Sequence, residues 1–189
     1  MSRLYRVFPY VASANPEEPG GAVYRAPGGK NRADAPDGSY RCLYAGDTPE
    51  GCIAEYFGRF DTWDRHLIEA APATPMLPNS RFALVSFELP DDVGLCDLDD
   101  ARTLLAQNLR PSDVVTRNRD VSQAWSWRIH ESGIYGGVRW WSYYDPIWHS
   151  YAIWDLSRLT IVDAPSLLRV GDAFVERAAA TIVRRLFVA

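Results

Sequence analysis

KNRADAPDGSYRCLYAGDTPEGCIAEYFG, residues Lys30–Gly58, passes from a turn-rich loop through a short strand into a capped helix. Asn, Asp, Pro and Gly crowd its first ten residues and mark the loop. Tyr40–Ala45 predicts the strand. DTPE then opens the helix: Asp47 or Thr48 caps it, Pro49 suits its first turn, and Glu50 is placed to bond back. On that helix Ile53, Tyr56, Phe57 and Phe60 fall on one arc at helical spacing. Glu55 lies off the arc and faces a cleft or solvent. Arg32 in the loop and Glu55 on the helix are therefore held on successive elements of one local unit. Far downstream, GGVRWWSYYDP (Gly136–Pro146) places Ser142 near the end of an aromatic strand.

Working outward, LYRVF (Leu4–Phe8) alternates as a first strand and contains Arg6. Dense Pro, Gly, Asn and Asp between it and Tyr40 predict one long irregular loop, and long loops inside compact domains are often functional. GGK (Gly28–Lys30) is no phosphate-binding loop, because the leading glycine spacing is absent and Asn31 follows the lysine. Asp61–Ser80 reads as a surface loop. Arg81–Leu89 reads as a strand, Leu98–Leu109 as a helix stopped before Pro111, and Asp120–Ser132 as another helix. Val138–Tyr144 and Ser150–Asp155 form a hairpin-like pair about a DP turn, and Leu159–Val162 is a further strand. A helix from about Asp172 closes the chain with Val175, Ala178, Ala179, Ile182, Val183 and Leu186 inward. There is no internal repeat and no linker, so residues 1–189 read as one domain.

Of the 189 residues 47% are hydrophobic and 13% aromatic, enough for a real core and for an aromatic-lined pocket. The net charge of -4 and the lack of a basic run disfavour nucleic acid. No apolar run approaches the ~20 residues that span a bilayer, and no signal peptide is apparent. Cys42, Cys52 and Cys96 form no CxxC pair and read as reduced, mostly buried thiols of a cytoplasmic protein. His66, His130 and His149 show no ligand spacing, so no metal is expected.

The opening LYRV, the segment NRADAPDGSYRCLYAG leading into EGCIAEYFG, and GGVRWWSYYDP followed by SYAIWD together resemble the RES-domain family, which includes toxins of bacterial toxin–antitoxin pairs. The resemblance spans nearly the whole chain. It puts the family's arginine, glutamate and serine on Arg32, Glu55 and Ser142, and an aromatic position on Tyr44. Two features depart from the pattern: Ala33 follows the arginine where a large aromatic residue is usual, and the Asp61–Ser80 loop is long.

The resemblance implies an α+β fold like that of ADP-ribosyltransferases, with a split, mostly antiparallel mixed sheet and flanking helices. It implies consumption of NAD, as substrate and not cofactor, through cleavage of the nicotinamide–ribose bond by hydrolysis or phosphorolysis. The alternatives are ADP-ribosyl transfer to a protein and a degenerate nucleotide-binding module. The residue types suit the chemistry. Arg32 can grip a pyrophosphate through paired donors. Glu55 can stabilise an oxocarbenium-like centre or orient the acceptor. Ser142 can hold the ribose or its neighbouring strands, and Arg6 is a further candidate for a phosphate contact. The partners expected are NAD, a cognate antitoxin and, for self-association, a homodimer, with neither nucleic acid nor membrane.

Overall fold

A computed structural model of the chain describes residues 1–188. The strands are β1 (Ser2–Tyr10), β2 (Leu43–Gly46), β3 (Thr62–Trp63), β4 (Arg81–Leu89), β5 (Leu95–Asp97), β6 (Gly137–Trp141), β7 (His149–Ile153), β8 (Thr160–Leu167) and β9 (Arg185–Leu186). The helices are α1 (Pro49–Phe57), α2 (Arg65–Ile68), α3 (Ala101–Ala106), α4 (Pro111–Val114), α5 (Arg119–Glu131) and α6 (Ala173–Thr181). Seven strands form one sheet in the order β5-β6-β7-β2-β1-β4-β8, and β3 pairs with β9 in a small second sheet. Every pairing in the large sheet is antiparallel except β5 with β6. The architecture is the α+β, mostly antiparallel one that the resemblance implies.

The sheet is split. β1 pairs with β4 along its whole length, from Ser2↔Leu89 to Tyr10↔Arg81. Among the described residues it meets β2 only at Tyr5↔Gly46. Helix α1 is seated on this seam: the Cys52 thiol donates to the Tyr5 carbonyl at 3.0 Å. A Cβ on Gly46 would stand 2.8 Å from the Cys52 sulfur, so only glycine lets the helix come this close.

Both faces of the sheet are covered. On β4, Phe82 and Leu84 pack with Ile53, Phe57, Val175 and Ala178 beneath α1 and α6. The alternate residues Ala83, Val85, Phe87 and Leu89 pack with Leu4, Phe8, Leu43 and Ile153 on the other face. Burial on both faces explains why RFALVSFEL is a nearly continuous apolar run, and each such side chain contributes about 1.5–3 kcal/mol. A third cluster joins α5 to the other half of the sheet through Trp125, Ile129, Val138, Trp140 and Ala152.

Several expectations are corrected. The Asp61–Ser80 segment is not only a surface loop: Trp63 and Ile68 are fully buried, and Trp63 pairs with Leu186. The closing helix ends at Thr181, because Val183 takes a left-handed φ of 56°. Val183 is therefore exposed, and Leu186 belongs to β9. The helix expected over Leu98–Leu109 is shorter, Ala101–Ala106, with Pro111 opening the separate α4. Of the expected arc, Ile53 and Phe57 on α1 are buried, whereas Tyr56 and Phe60, the latter beyond the helix end, are over a third exposed at 37% and 36%. Glu50 takes the Arg177 Nε donor at 2.6 Å, tying α1 to α6. The Tyr40–Ala45 strand is displaced to Leu43–Gly46.

Candidate active site

A cavity of about 380 Å3 opens where β1 and β2 diverge. Arg6 on β1, Arg32 in the long loop, Tyr44 and Gly46 on β2, Glu55 on α1, and Ser142 just after β6 all line it. Six residues spread between positions 6 and 142 thus reach one concavity of ordinary small-molecule size.

Glu55 is delivered by the helix start foreseen in DTPE. Thr48 is the cap and accepts from the Gly51 amide at 3.0 Å, and Pro49 stands in the first turn. One and a half turns on, Glu55 projects into the cavity. Its Oε1 accepts from the Ser142 hydroxyl at 2.5 Å. Ser142 is itself fixed: it is 3% exposed, its amide donates to the Trp148 carbonyl at 2.7 Å, and its Oγ accepts from the Tyr144 amide at 3.1 Å. The Tyr144 ring lies against Gly58, where a Cβ would stand 2.4 Å from it. The turn carrying Ser142 therefore packs directly on the end of the helix carrying Glu55.

Arg32 reaches the same cavity from the long loop. One of its terminal nitrogens donates to the Val114 carbonyl and to the Thr116 carbonyl, the latter at 2.9 Å. Desolvation lowers its pKa, nearby Arg119 lowers it further, and Glu55 partly offsets both. Arg119 lines the cavity as well. Two guanidiniums close enough to repel one another, with a single carboxylate within electrostatic reach, make this part of the cavity receptive to an anion.

Tyr44 lies on the cavity wall, but its hydroxyl is engaged within the protein. It donates to Asp34 Oδ1 at 2.8 Å and accepts from the Ala33 amide at 3.0 Å. Burial raises its pKa well above the usual phenol range. Arg6 holds the long loop, donating to the Ala22 and Tyr24 carbonyls at 2.7 and 2.8 Å. Desolvation lowers its pKa to about 10, so it stays charged at neutral pH.

Ala33 is fully buried beside Cys42, Trp125 and Trp140 and does not line the cavity. His149 does line it, with its ring held between Asp47 at 2.6 Å and Asp99 at 3.1 Å. His130 lies elsewhere, stacked on Tyr40 with ring centroids 3.9 Å apart. All three cysteines are free and buried. Burial raises their pKa, that of Cys96 to about 11, which argues against a thiolate nucleophile. Among the described residues no cluster of His, Cys, Asp and Glu could hold a metal ion. Asp34 and Arg119 were not singled out in the sequence. Asp34 sits in a run of turn residues with nothing to distinguish it, and Arg119 reads as one more charge at a helix start.

A mostly antiparallel sheet thus brings an arginine, a glutamate and a serine together at its seam. The RES domain matches residues 3–172, and the chain belongs to that family. Among solved structures it is similar to a chain of the M. tuberculosis MbcT–MbcA toxin–antitoxin complex. The two share 17% identity with a TM-score of 0.58, over 97% of this chain and 88% of that one. A likeness at that identity establishes the fold, the mostly antiparallel α+β one described above. No curated protein matches the chain.

Proposed function

We propose that this chain is the toxin of a toxin–antitoxin pair and consumes NAD by breaking the bond between nicotinamide and ribose. The observation that carries the reading is the 2.5 Å hydrogen bond from Ser142 to Glu55 inside a cavity that also receives Arg32. In NAD the nicotinamide nitrogen is cationic. When the glycosidic bond breaks, its electron pair leaves with neutral nicotinamide and the ribose carbon becomes oxocarbenium-like. Glu55 is a fixed negative charge for that centre. The Ser142 hydroxyl restricts how the carboxylate turns. Arg32 offers donors to the pyrophosphate, with Arg6 and Arg119 adding positive charge to the same cavity. Water or phosphate then adds its oxygen to the ribose carbon, and the acceptor's proton is released to solvent. Tyr44 shapes the wall and holds the loop.

The departure at Ala33 would favour the degenerate-module alternative if that residue lined the cavity. That side chain faces the core, so the substitution leaves the cavity lining intact. For a cognate antitoxin the exposed Tyr143 and Ile147, 57% and 73% accessible near the cavity, offer apolar surface. Among the described residues no helix is long and apolar enough to cross a membrane. We assign the protein to the cytoplasm, where NAD is available and thiols stay reduced.

The test is loss of NAD with purified protein, with and without inorganic phosphate, followed by chromatography of products. ADP-ribose identifies water as acceptor, and a phosphorylated ADP-ribose identifies phosphate. Label from NAD that ends on protein instead would favour the transferase alternative. NAD left intact both with and without phosphate would sink the reading.

A further inference from the structure

We propose that Asp34 is the positioning residue for Arg32, its buried carboxylate fixing the direction from which the guanidinium enters the cavity. The kinetic part of this proposal rests on the functional reading above, and the structural part does not.

Asp34 is 3% exposed. Its Oδ2 accepts from three successive amides, Gly29 at 3.0 Å, Lys30 at 3.0 Å and Asn31 at 2.8 Å. Its Oδ1 takes the Tyr44 hydroxyl at 2.8 Å. The loop before Arg32 is therefore wound around one carboxylate, an anion nest filled by the chain's own side chain. Gly29 makes the winding feasible with a φ of 108°, which other residues rarely adopt.

The bonds continue on both sides of Arg32. The Asn31 carbonyl accepts from Gln123 Nε2 at 3.0 Å. The Ala33 amide donates to Tyr44, and the Ala33 carbonyl takes the Ser126 hydroxyl at 3.1 Å and the Cys42 thiol at 3.3 Å. Arg32 is thus a single residue between two tethered neighbours in a loop otherwise free of regular structure. Its ordering is completed during folding, so a bound anion need not supply it. All four donors to Asp34 are neutral. The carboxylate therefore needs every one of them, and losing it would release the amides together.

The test uses Asp34→Asn and Asp34→Ala, each alone and combined with Arg32→Ala. Amide exchange by NMR is the first readout. Gly29, Lys30 and Asn31 should exchange faster in both variants while β4 amides keep their protection, and the Arg32 Nε resonance should move. Unchanged exchange in Asp34→Ala would overturn the proposal. Loss of β4 protection would also overturn it, since Asp34 would then be a general fold residue.

Kinetics is the second readout. Asp34→Asn should raise the KM for NAD by about 10-fold, the scale expected of a misplaced binding group. Nicotinamide riboside, which lacks the pyrophosphate, should be spared. In the Arg32→Ala background Asp34→Asn should have no further effect on NAD, because its influence passes through Arg32. Additive losses would overturn the proposal. If the wild-type protein leaves NAD intact, the functional reading fails, and the exchange and Nε measurements still decide whether Asp34 holds Arg32.

Discussion

The Ser142 hydroxyl donates to Glu55 while accepting from the Tyr144 amide, so the carboxylate is held by a donor that is itself held. That chain separates the roles of the two residues. Glu55→Gln keeps the shape and removes the charge facing the developing cation. Turnover of NAD should fall by ~10²-fold or more while KM changes little. Ser142→Ala leaves the charge and loosens its aim. One hydrogen bond to a charged group is worth about 1.5–3 kcal/mol, but the carboxylate keeps its charge and loses only its aim, so the low end of that range, roughly tenfold in turnover, is expected, smaller than that of Glu55→Gln. Steady-state rates for the pair check both values, and an inverted ranking would make Ser142 the direct substrate contact. Arg32 belongs to a different step. Arg32→Ala should raise the KM for NAD much more than that for nicotinamide riboside, since only NAD presents a pyrophosphate. Equal losses for the two compounds would assign Arg32 to the reacting ribose.

Among elements, α1 carries the greatest functional consequence, because it seats Glu55 and sits on the seam of the sheet. Its N-terminus is capped by Thr48 and its far end meets Tyr144 at Gly58. Thr48→Ala removes the acceptor for the Gly51 amide and should cost about 1 kcal/mol. In a chain of this size that lowers the melting temperature by about 2–4 °C, measurable by calorimetry. Turnover should fall little, because the helix stays pinned by the Cys52 thiol on Tyr5 and by Glu50 on Arg177. A large activity loss at unchanged melting temperature would mean that the cap tunes the tilt of α1 and not its stability.

Over the whole molecule, the two halves of the sheet are joined through Tyr5↔Gly46, and the long loop between β1 and β2 lies beside that joint. Arg6 ties the loop to β1 through two carbonyls. Arg6→Met retains the aliphatic stem and removes both donors. Limited proteolysis should then cut within residues 11–42 at least several-fold faster, while the Arg81–Leu89 strand remains resistant, because loop opening is local and not global. Equal cleavage rates would show that the loop's own turns, such as the Val11 amide on the Gly20 carbonyl, suffice to hold it.

Local chemistry alone determined much of this protein. The Thr48 cap followed by Pro49 foretold α1 and the off-core position of Glu55, because capping and helical period act within a few residues. Arg81–Leu89 was legible to the residue, since a strand buried on both faces is apolar throughout. The order of Arg32, Glu55 and Ser142 was legible through family resemblance. Their meeting was not: it depends on β2 lying between β1 and β7, and its pairing with β7 joins residues more than a hundred positions apart. Trp63 and Leu186 bury one another across a similar distance, so no local pattern distinguished them from loop and helix residues. Asp34 is the sharpest case. In sequence it is one polar residue among many turn formers. Only when the chain closes around it do three amides and a tyrosine hydroxyl converge on its carboxylate, because hydrogen bonds of that kind exist only in the assembled loop.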